Sequence, residues 1–480
     1  MASSYTPFDP HEYELRSAVL STERNNRHIV DITSSLVELI IFENLERPYL
    51  TGTVTYTDGG RTLEIMDFQG TELLEIEIAL HTSPHIVKKS FIVREVTSVV
   101  PSTDTTDVIT LALLDYDSYL NTLININKMY EGKPSQIINN ILKDSFFSKK
   151  KIIRAGDRNV VSSLIDELDY IRNPNADALN ESRQLAQELQ TSFRYIVPNL
   201  NPIKAIDAIT KRTTGLTGTP FFCFGTLADN DLRFYDLYTL LQQNPINQGD
   251  PFVYSSQLSQ RTSSTGAEIA RQVSELKSSR NGNTLALIME GDLGSTYEFV
   301  DTTHGLEFRF QYDLEKVLQN LLQTGSYPAA DTRAKFGDRS VSEYAAKRIT
   351  SIATGNIYAN NVKNMYEETS ASKHSSKAIQ KSIRNLLRRS SLTIQVPGLH
   401  MLPQDGHKTI GRVFSLISLA DTELSDEAID RKRSGDYLMF TAEHRFQTNK
   451  YSVRSDLVKI ANYRGNTNVA AKFTRATGSY

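Results

Sequence analysis

Residues from about 28 to 115 carry the period-two alternation of half-buried β-strands. Thr51, Thr53, Thr55 and Thr57 interleave with Gly52, Val54 and Tyr56, and Asp58-Gly59-Gly60 breaks the run as a tight turn does. Leu74, Ile76, Ile78 and Leu80 interleave with Glu75 and Glu77 in the same way. Phe91–Val96 and Val108–Leu113 predict further strands, and Leu36–Phe42 reads as a strand buried on both faces. Strands at this spacing predict a small barrel or sandwich.

From about 116 to 212 the period lengthens to that of helices. Lys133-Pro134-Ser135 puts a proline where a first helical turn tolerates it, and Ile137, Ile138, Ile141 and Leu142 follow on one stripe. Ile203, Ile206 and Ile209 precede Lys211 and Arg212, cations that suit a helix C-terminus. Next, Phe221-Phe222-Cys223-Phe224 and Leu232-Arg233-Phe234-Tyr235 flank Ala228-Asp229-Asn230-Asp231, the pattern of a β-hairpin. Residues 245–390 are mixed, with Leu314, Val317, Leu318, Leu321 and Leu322 on one helical face. Strand character returns from Leu392 to Tyr463. Leu392, Ile394 and Val396 alternate up to Pro397-Gly398; Leu438, Phe440, Ala442, His444 and Phe446 form a second face, and Tyr451–Val453 a third run.

The predicted fold class is α+β, with two small antiparallel β-barrel modules and helical or mixed insertions. The expected divisions are an N-terminal barrel at 1–115, a helical and mixed domain at 116–214, and a second barrel assembled from 215–242 plus 391–465. A mixed insertion with amphipathic helices occupies 243–390, and 466–480 is a tail.

Charge narrows the choice of function. With 53 basic against 56 acidic side chains and a net charge of -3, the chain has no global attraction to nucleic acid or anionic membrane. Cys223 is the single cysteine, which excludes an internal disulfide and four-thiolate metal sites, and Phe222 and Phe224 beside it predict a buried thiol. Such sparing use of cysteine fits assembly in a reducing cytoplasm. No basic-then-apolar leader opens the chain and no apolar run approaches the ~18 residues of a spanning helix, so neither a cleavable signal nor a membrane span is expected.

Candidate chemistry is thin. His81 and His85 flank Pro84 in a loop pattern, His400 and His407 flank Pro403 and Gly406, and no third ligand follows either pair, so no metal is expected. His444 lies on an apolar strand face, where a histidine hydrogen-bonded to a neighbour is the expected reading over a catalytic base. Glu75 and Glu77 sit on a polar strand face and match an ordinary solvent-facing pair as well as a glycosidase pair. No nucleophile elbow, phosphate-cradling loop or dinucleotide fingerprint occurs, so no catalytic residue and no cofactor is expected. One charge feature stands out. Lys373, Lys377, Lys381, Arg384 and Arg388 step by three or four along one helix face opposite Ile379, Ile383, Leu386 and Leu387. That stripe is a solvated surface or a candidate contact for an acidic partner or passing nucleic acid.

Three regions carry a family resemblance. Ile32–Ile41, Leu50–Asp58 and Gly70–Ile78 resemble the N-terminal barrel of the T-even-type phage baseplate hub, a family related to spike hub modules of type VI secretion and to late-control tail proteins. The hairpin Pro220–Phe224 to Leu232–Asp236 resembles an element near that family's second barrel. Leu392–Gly398, Gly411, and Ser434-Gly435-Asp436-Tyr437-Leu438 through His444-Arg445-Phe446 to Tyr451 resemble its C-terminal barrel. The motif positions are Gly52, Tyr56, Phe222, Phe224, Arg233, Phe234, Gly398, Gly411, Gly435, Tyr437, His444, Phe446 and Tyr451.

The resemblance implies a structural, non-enzymatic hub of a contractile tail baseplate in the virion. It implies a homotrimer whose paired barrels form a pseudo-sixfold ring between a sixfold tail tube, or tube-adaptor protein, and a threefold central spike. Baseplate wedge proteins are further expected neighbours, and DNA would pass through the channel. A tail-associated peptidoglycan hydrolase would instead need a nucleophile–base pair or clustered acids. A carbohydrate- or nucleic-acid-binding β-protein would need exposed aromatics on one strand face.

Overall fold

The computed structural model describes residues 9, 11–22, 28–79, 86–103, 105–146, 152–154, 193–211, 213, 219–241, 245–246, 251–255, 269–280, 288–301, 306–314, 335–344, 347–353, 378–385, 387, 390–401, 409–419, 429–430, 433–448 and 450–462. The first β block comprises β1 (Glu14–Thr22), β2 (His28–Asp31), β3 (Leu36–Asn44), β4 (Thr51–Asp58), β5 (Leu73–Ala79), β6 (Ile86–Thr103) and β7 (Thr106–Asp115). They pair antiparallel in the order β3-β4-β7-β6-β5-β1-β2. Alternation fixes the face that each strand buries. Leu39 and Ile41, Val54 and Tyr56, Leu74, Ile76 and Ile78, and Ile109, Leu111 and Leu113 all point into one core.

Two strands depart from simple pattern reading. β3 is buried on one face rather than both: Val37 is 41% and Phe42 39% exposed, while Leu39 and Ile41 are closed to solvent. Apolar outward residues hid the alternation. β6 is far longer than its apolar segment predicts. Register shifts at Val93/Glu95, Val96/Ser98 and Pro101/Thr103 bend it. It therefore leaves β5 at Ile92 and continues with β7 to Thr103. At Gly52 a Cβ would lie 2.4 Å from the Ile40 carbonyl oxygen, so only glycine allows the two strands to approach this closely.

Between the blocks lie β8 (Met129–Gly132), β9 (Ile152–Arg154), β10 (Phe193–Ile196), β11 (Phe221–Gly225) and β12 (Leu232–Asp236). The helices Pro134–Lys143 and Pro202–Thr210 start on prolines, and their buried Ile137, Ile138, Ile206 and Ile209 build a second, smaller core. The β11–β12 hairpin separates the two cores. Phe221, Cys223, Leu232 and Phe234 face the small core, and Phe222, Phe224 and Tyr235 face the large one. Two-sided burial explains its continuous aromatic run.

The remaining strands are β13 (Pro245–Ile246), β14 (Phe252–Tyr254), β15 (Glu275–Arg280), β16 (Gly294–Asp301), β17 (Leu306–Asp313), β18 (Lys335–Phe336), β19 (Arg339–Ser340), β20 (Lys347–Ala353), β21 (Ser390–Pro397), β22 (Val413–Ser418), β23 (Gly435–Gln447) and β24 (Lys450–Asn462). β15, β21, β24 and β23 pair in that order, β22 joins β23, and β13 and β14 lie parallel on β22. β16, β17 and β20 make a separate three-stranded sheet.

The expectation of two barrels gives way to a different connection. Residues 441–447 of β23 pair with residues 38–44 of β3, so both blocks belong to one 14-stranded sheet. That sheet is not a closed barrel; its hydrogen-bonded path runs from β15 to β2. The chain is mostly β rather than evenly mixed. Nor do β11 and β12 enter the sheet beside 391–465: they pair with each other and with β9, and reach the large core by side chains. Val317, Leu318, Leu321 and Leu322 lie outside the described residues.

Candidate functional site: the seam between the β blocks

β23 makes the seam by changing partners. Its first residues, Gly435–Leu438, pair with β22, and a register shift between Met439 and Thr441 precedes its ladder with β3. β24 runs along its other edge. A bulge re-aims a strand, and here it lets one strand serve two blocks.

On the inner face of this junction, three polar side chains occupy diagonal positions on three neighbouring strands. Ile41 lies opposite His444 and Ala442 opposite Glu43, which places Glu43 one diagonal step from His444. Val453 lies opposite His444, so Tyr451 is the next diagonal neighbour. His444 Nε2 is 3.2 Å from Glu43 Oε2, and His444 Nδ1 is 2.8 Å from Tyr451 Oη. All three side chains are closed to solvent. The other Glu43 oxygen accepts the Leu227 backbone N–H, which lies in the hairpin turn.

Burial, with the charge of Glu43 beside it, holds the Tyr451 phenol well above its ordinary range. Tyr451 therefore keeps its proton and shares a hydrogen bond with Nδ1, while Nε2 faces the Glu43 carboxylate. The arrangement echoes a base with an orienting carboxylate. Its terminal hydroxyl is sealed in the core, stacked beside Phe446 with ring centroids 4.4 Å apart, where no substrate can reach it. What it does is fix the register of three strands, because slipping any of them would bury unpaired polar groups.

The hairpin turn is bound to the first block as well. Lys89 projects inward from β6, 6% exposed, and its ammonium donates to the Thr226 carbonyl at 3.0 Å, to Asn230 Oδ1 at 3.0 Å and to the Asp229 carbonyl. Gly225 N–H donates to Arg47 O at 3.3 Å. Arg233 forks onto Asp229 at 2.6 and 2.5 Å. Burial alone would raise the Asp229 carboxyl, but Arg233 and Lys89 together hold it below its ordinary value. A third strap comes from the N-terminal segment: His11 O accepts from Tyr451 N at 2.7 Å, and Tyr13 Oη donates to Gln447 O at 2.9 Å.

Arg384 completes the junction from the helical residues 378–385. It is 8% exposed, lies 4.8 Å above the Phe222 ring, and donates to the Phe221 carbonyl and to Glu46. Gln380 donates to Thr213 O at 2.8 Å, and Asn385 to Asp292 Oδ1 at 3.1 Å. The basic stripe predicted here is therefore not one solvated row: Lys381 is exposed, whereas Arg384 is an internal clamp. Lys373, Lys377 and Arg388 lie outside the described residues.

The motif positions are spread over both blocks, and several lie at this junction. A Cβ on Gly398 would lie 1.9 Å from Tyr451 Cδ1, so glycine makes room for the ring that holds His444. Phe222 meets Phe440 edge to face at 6.4 Å, Phe234 stacks on Phe221 at 4.8 Å, and Tyr56 is fully buried in the first block. Gly411 packs near Phe224 and Leu45, Gly435 opens β23, and Tyr437 Oη donates to Arg433 O at 2.6 Å. Glu43, Lys89 and Gly225 escaped sequence reasoning. Glu43 and Lys89 look like solvent-facing charges until the partner strand or hairpin is known.

Few other groups offer chemistry. Burial pushes the Cys223 thiol up to about 12, which leaves it inert. His400 is edge-on to Phe252 at 6.2 Å, and burial lowers its pKa. His81, His85 and His407 lie outside the described residues, among which no cluster of three or more metal-binding side chains occurs. No described helix is long and apolar enough to cross a membrane. On the outer face of the seam lies a groove of about 520 Å³, walled by Phe42, Arg47 and Tyr49 of the first block and Thr441, Arg454 and Asp456 of the second.

No protein-family model and no curated protein matches the chain. Among solved structures it is similar to the 43 kDa tail protein of prophage MuSo2 from Shewanella oneidensis, with a TM-score of 0.48 and 12% identity over 92% of this chain and 98% of that one. It is also similar to the tail protein from Neisseria meningitidis MC58, with a TM-score of 0.46 and 11% identity over 94% and 97% of the two chains. A third similar structure, with a TM-score of 0.38 and 9% identity over 95% and 80%, is an E. coli component of the type VI secretion system described as structurally similar to T4 bacteriophage tail proteins.

Proposed function

We propose that this chain is the structural hub of a contractile phage tail baseplate, a trimeric adaptor between a sixfold tail tube and a threefold central spike. The observation that carries this reading is the β3–β23 ladder, which joins two β blocks of one chain edge to edge at a fixed register. A threefold object can meet a sixfold one only if each subunit offers two quasi-equivalent surfaces, and those surfaces must keep a constant relation. The sealed Glu43–His444–Tyr451 chain and the Lys89 and Arg384 clamps supply that constancy.

In this role the protein acts through shape, without a catalytic centre or a cofactor. Its partners would be two further copies of itself, the spike, the tube or a tube adaptor, and neighbouring wedge proteins, with DNA passing through unheld. It would assemble in the host cytoplasm and remain in the virion tail. The first barrel-like module corresponds to 1–115 and the second to the strands of 391–465 with the hairpin packed on them. Light-scattering mass of the purified chain, alone and with a candidate spike, tests the proposal. A trimer in either condition supports it, and a strict monomer in both rejects it. Release of fragments from peptidoglycan by the purified chain would favour a hydrolase instead.

A further inference from the structure

The groove on the outer face of the seam carries a charge arrangement that the architectural role does not require. Arg47, in the β3–β4 connection, and Arg454, on β24, both line it and are both exposed. Neither guanidinium has a hydrogen bond or an ion pair among the described residues, unlike Arg384, Arg233, Arg309, Arg348 and Arg445. The carboxylates of the same groove are already engaged. Asp456 accepts from Thr393 Oγ1 at 2.7 Å and from Thr441 Oγ1 at 2.9 Å, and Glu443 pairs with Arg445 at 2.8 Å. Glu43, the third carboxylate of the lining, is held by His444 and the Leu227 N–H. The groove therefore holds two guanidiniums without a hydrogen bond beside three engaged carboxylates, and the Arg454 charge also acts on Glu275 of β15.

We propose that this groove docks a polypeptide segment of another protein, one that presents an aspartate or glutamate side chain to Arg47 and Arg454. Arginine forks match carboxylates in two hydrogen bonds at once, and each block supplies one arginine. The walls add an apolar contact at Phe42, which is 39% exposed, and hydroxyls at Tyr49 and Thr51 for a peptide backbone. A nucleic-acid strand fits poorly, because its regularly spaced phosphates would have to pass Glu443 and Asp456. A mixed-sign groove suits a chain in which an acidic residue is followed by a basic or neutral one. The proposal does not depend on the oligomeric state and stands apart from the hub reading.

Side-chain Nε–Hε resonances of the full-length protein, labelled at arginine and assigned with Arg47→Gln and Arg454→Gln variants, provide the test. The probes are a short blocked peptide with a glutamate beside a lysine, the same peptide with glutamine for glutamate, inorganic phosphate, and an oligothymidylate. Saturable shifts of both arginine signals with the glutamate peptide are expected, with binding about tenfold weaker for the glutamine peptide. The double variant should melt like the parent and lose the saturable response. Equal binding of the two peptides, or no response to either, overturns the proposal. So does a tighter response to phosphate or to the oligothymidylate, which would make the groove a phosphate site.

Discussion

The two β blocks reach similar ends by opposite routes. The first takes its seven strands from one uninterrupted stretch, β1 to β7, and its core residues come from neighbours in sequence. The second gathers β13 to β15 and β21 to β24 from distant stretches, and borrows β11 and β12 as a packing layer. Local connections give the first block its strand order, although its buried Glu43 and Lys89 find their partners in β23 and the hairpin. The second depends on buried polar contacts with other parts of the chain, and those contacts concentrate at the seam. The blocks are thus held by buried polar contacts at the seam together with one apolar core to which both contribute.

The largest disturbance to this division of labour should come from Glu43→Ala. It strips an acceptor from both His444 and the Leu227 N–H. Leaving two buried donors unsatisfied should cost about 3–5 kcal/mol in denaturant unfolding. Glu38→Ala on the same strand, whose carboxylate is partly exposed with Gln447 and Arg445, should cost about 1 kcal/mol or less. Equal losses would show that the seam has no special role. Gly398→Ala comes next, at about 2–3 kcal/mol, because the new Cβ overlaps the Tyr451 ring and must displace it from His444. A smaller loss would mean that the second block can yield there.

Arg384→Lys should cost about 2 kcal/mol by thermal unfolding, since a lysine cannot reach the Phe221 carbonyl and Glu46 while also covering the Phe222 ring. A further effect concerns acidity. Burial pushes the Asp236 carboxyl up to about 6, against hydrogen bonds from Thr239 and Thr219. A carboxyl raised on folding contributes stability that is fully present below the usual carboxylate range and is lost as pH climbs through about 6. Asp236→Asn keeps an acceptor and removes the titration, so stability curves of parent and variant should converge in acid, separate as pH rises from the usual carboxylate range to about 6, and stay apart above it, the variant being the more stable. Parallel curves would assign the acid dependence elsewhere.

Much of the first block is legible in the sequence because a half-buried strand declares its own face. Thr51 to Thr57 and Leu73 to Ala79 form β4 and β5 with the alternation their residues predict. Ile206 and Ile209 likewise meet Ile137 and Ile138 in the small core. Periodicity says nothing, however, about which edge meets which. β3 and β23 lie far apart in the chain, so neither their pairing nor the merging of two modules into one sheet could be read locally. Burial of Arg384 was hidden for a related reason. Three- and four-residue steps describe a helix face, but the hairpin carbonyl that turns this face inward comes from another element. His444 stood out as a histidine among apolar residues, whereas its partner Glu43 resembled any charge on a strand.

The partner change in β23 also bears on how the molecule is made. As the chain leaves the ribosome, the first block can collapse early while β3 still exposes a hydrogen-bonding edge flanked by Val37 and Phe42. Its proper mate, residues 441–447, is synthesised long afterwards. Until then that edge is a place where two nascent chains could stick together. The charge that later locks the seam serves the waiting chain as well: Glu43, with Glu38 further along β3, discourages another strand from settling in an apolar register, and the edge closes when the strand carrying His444 arrives.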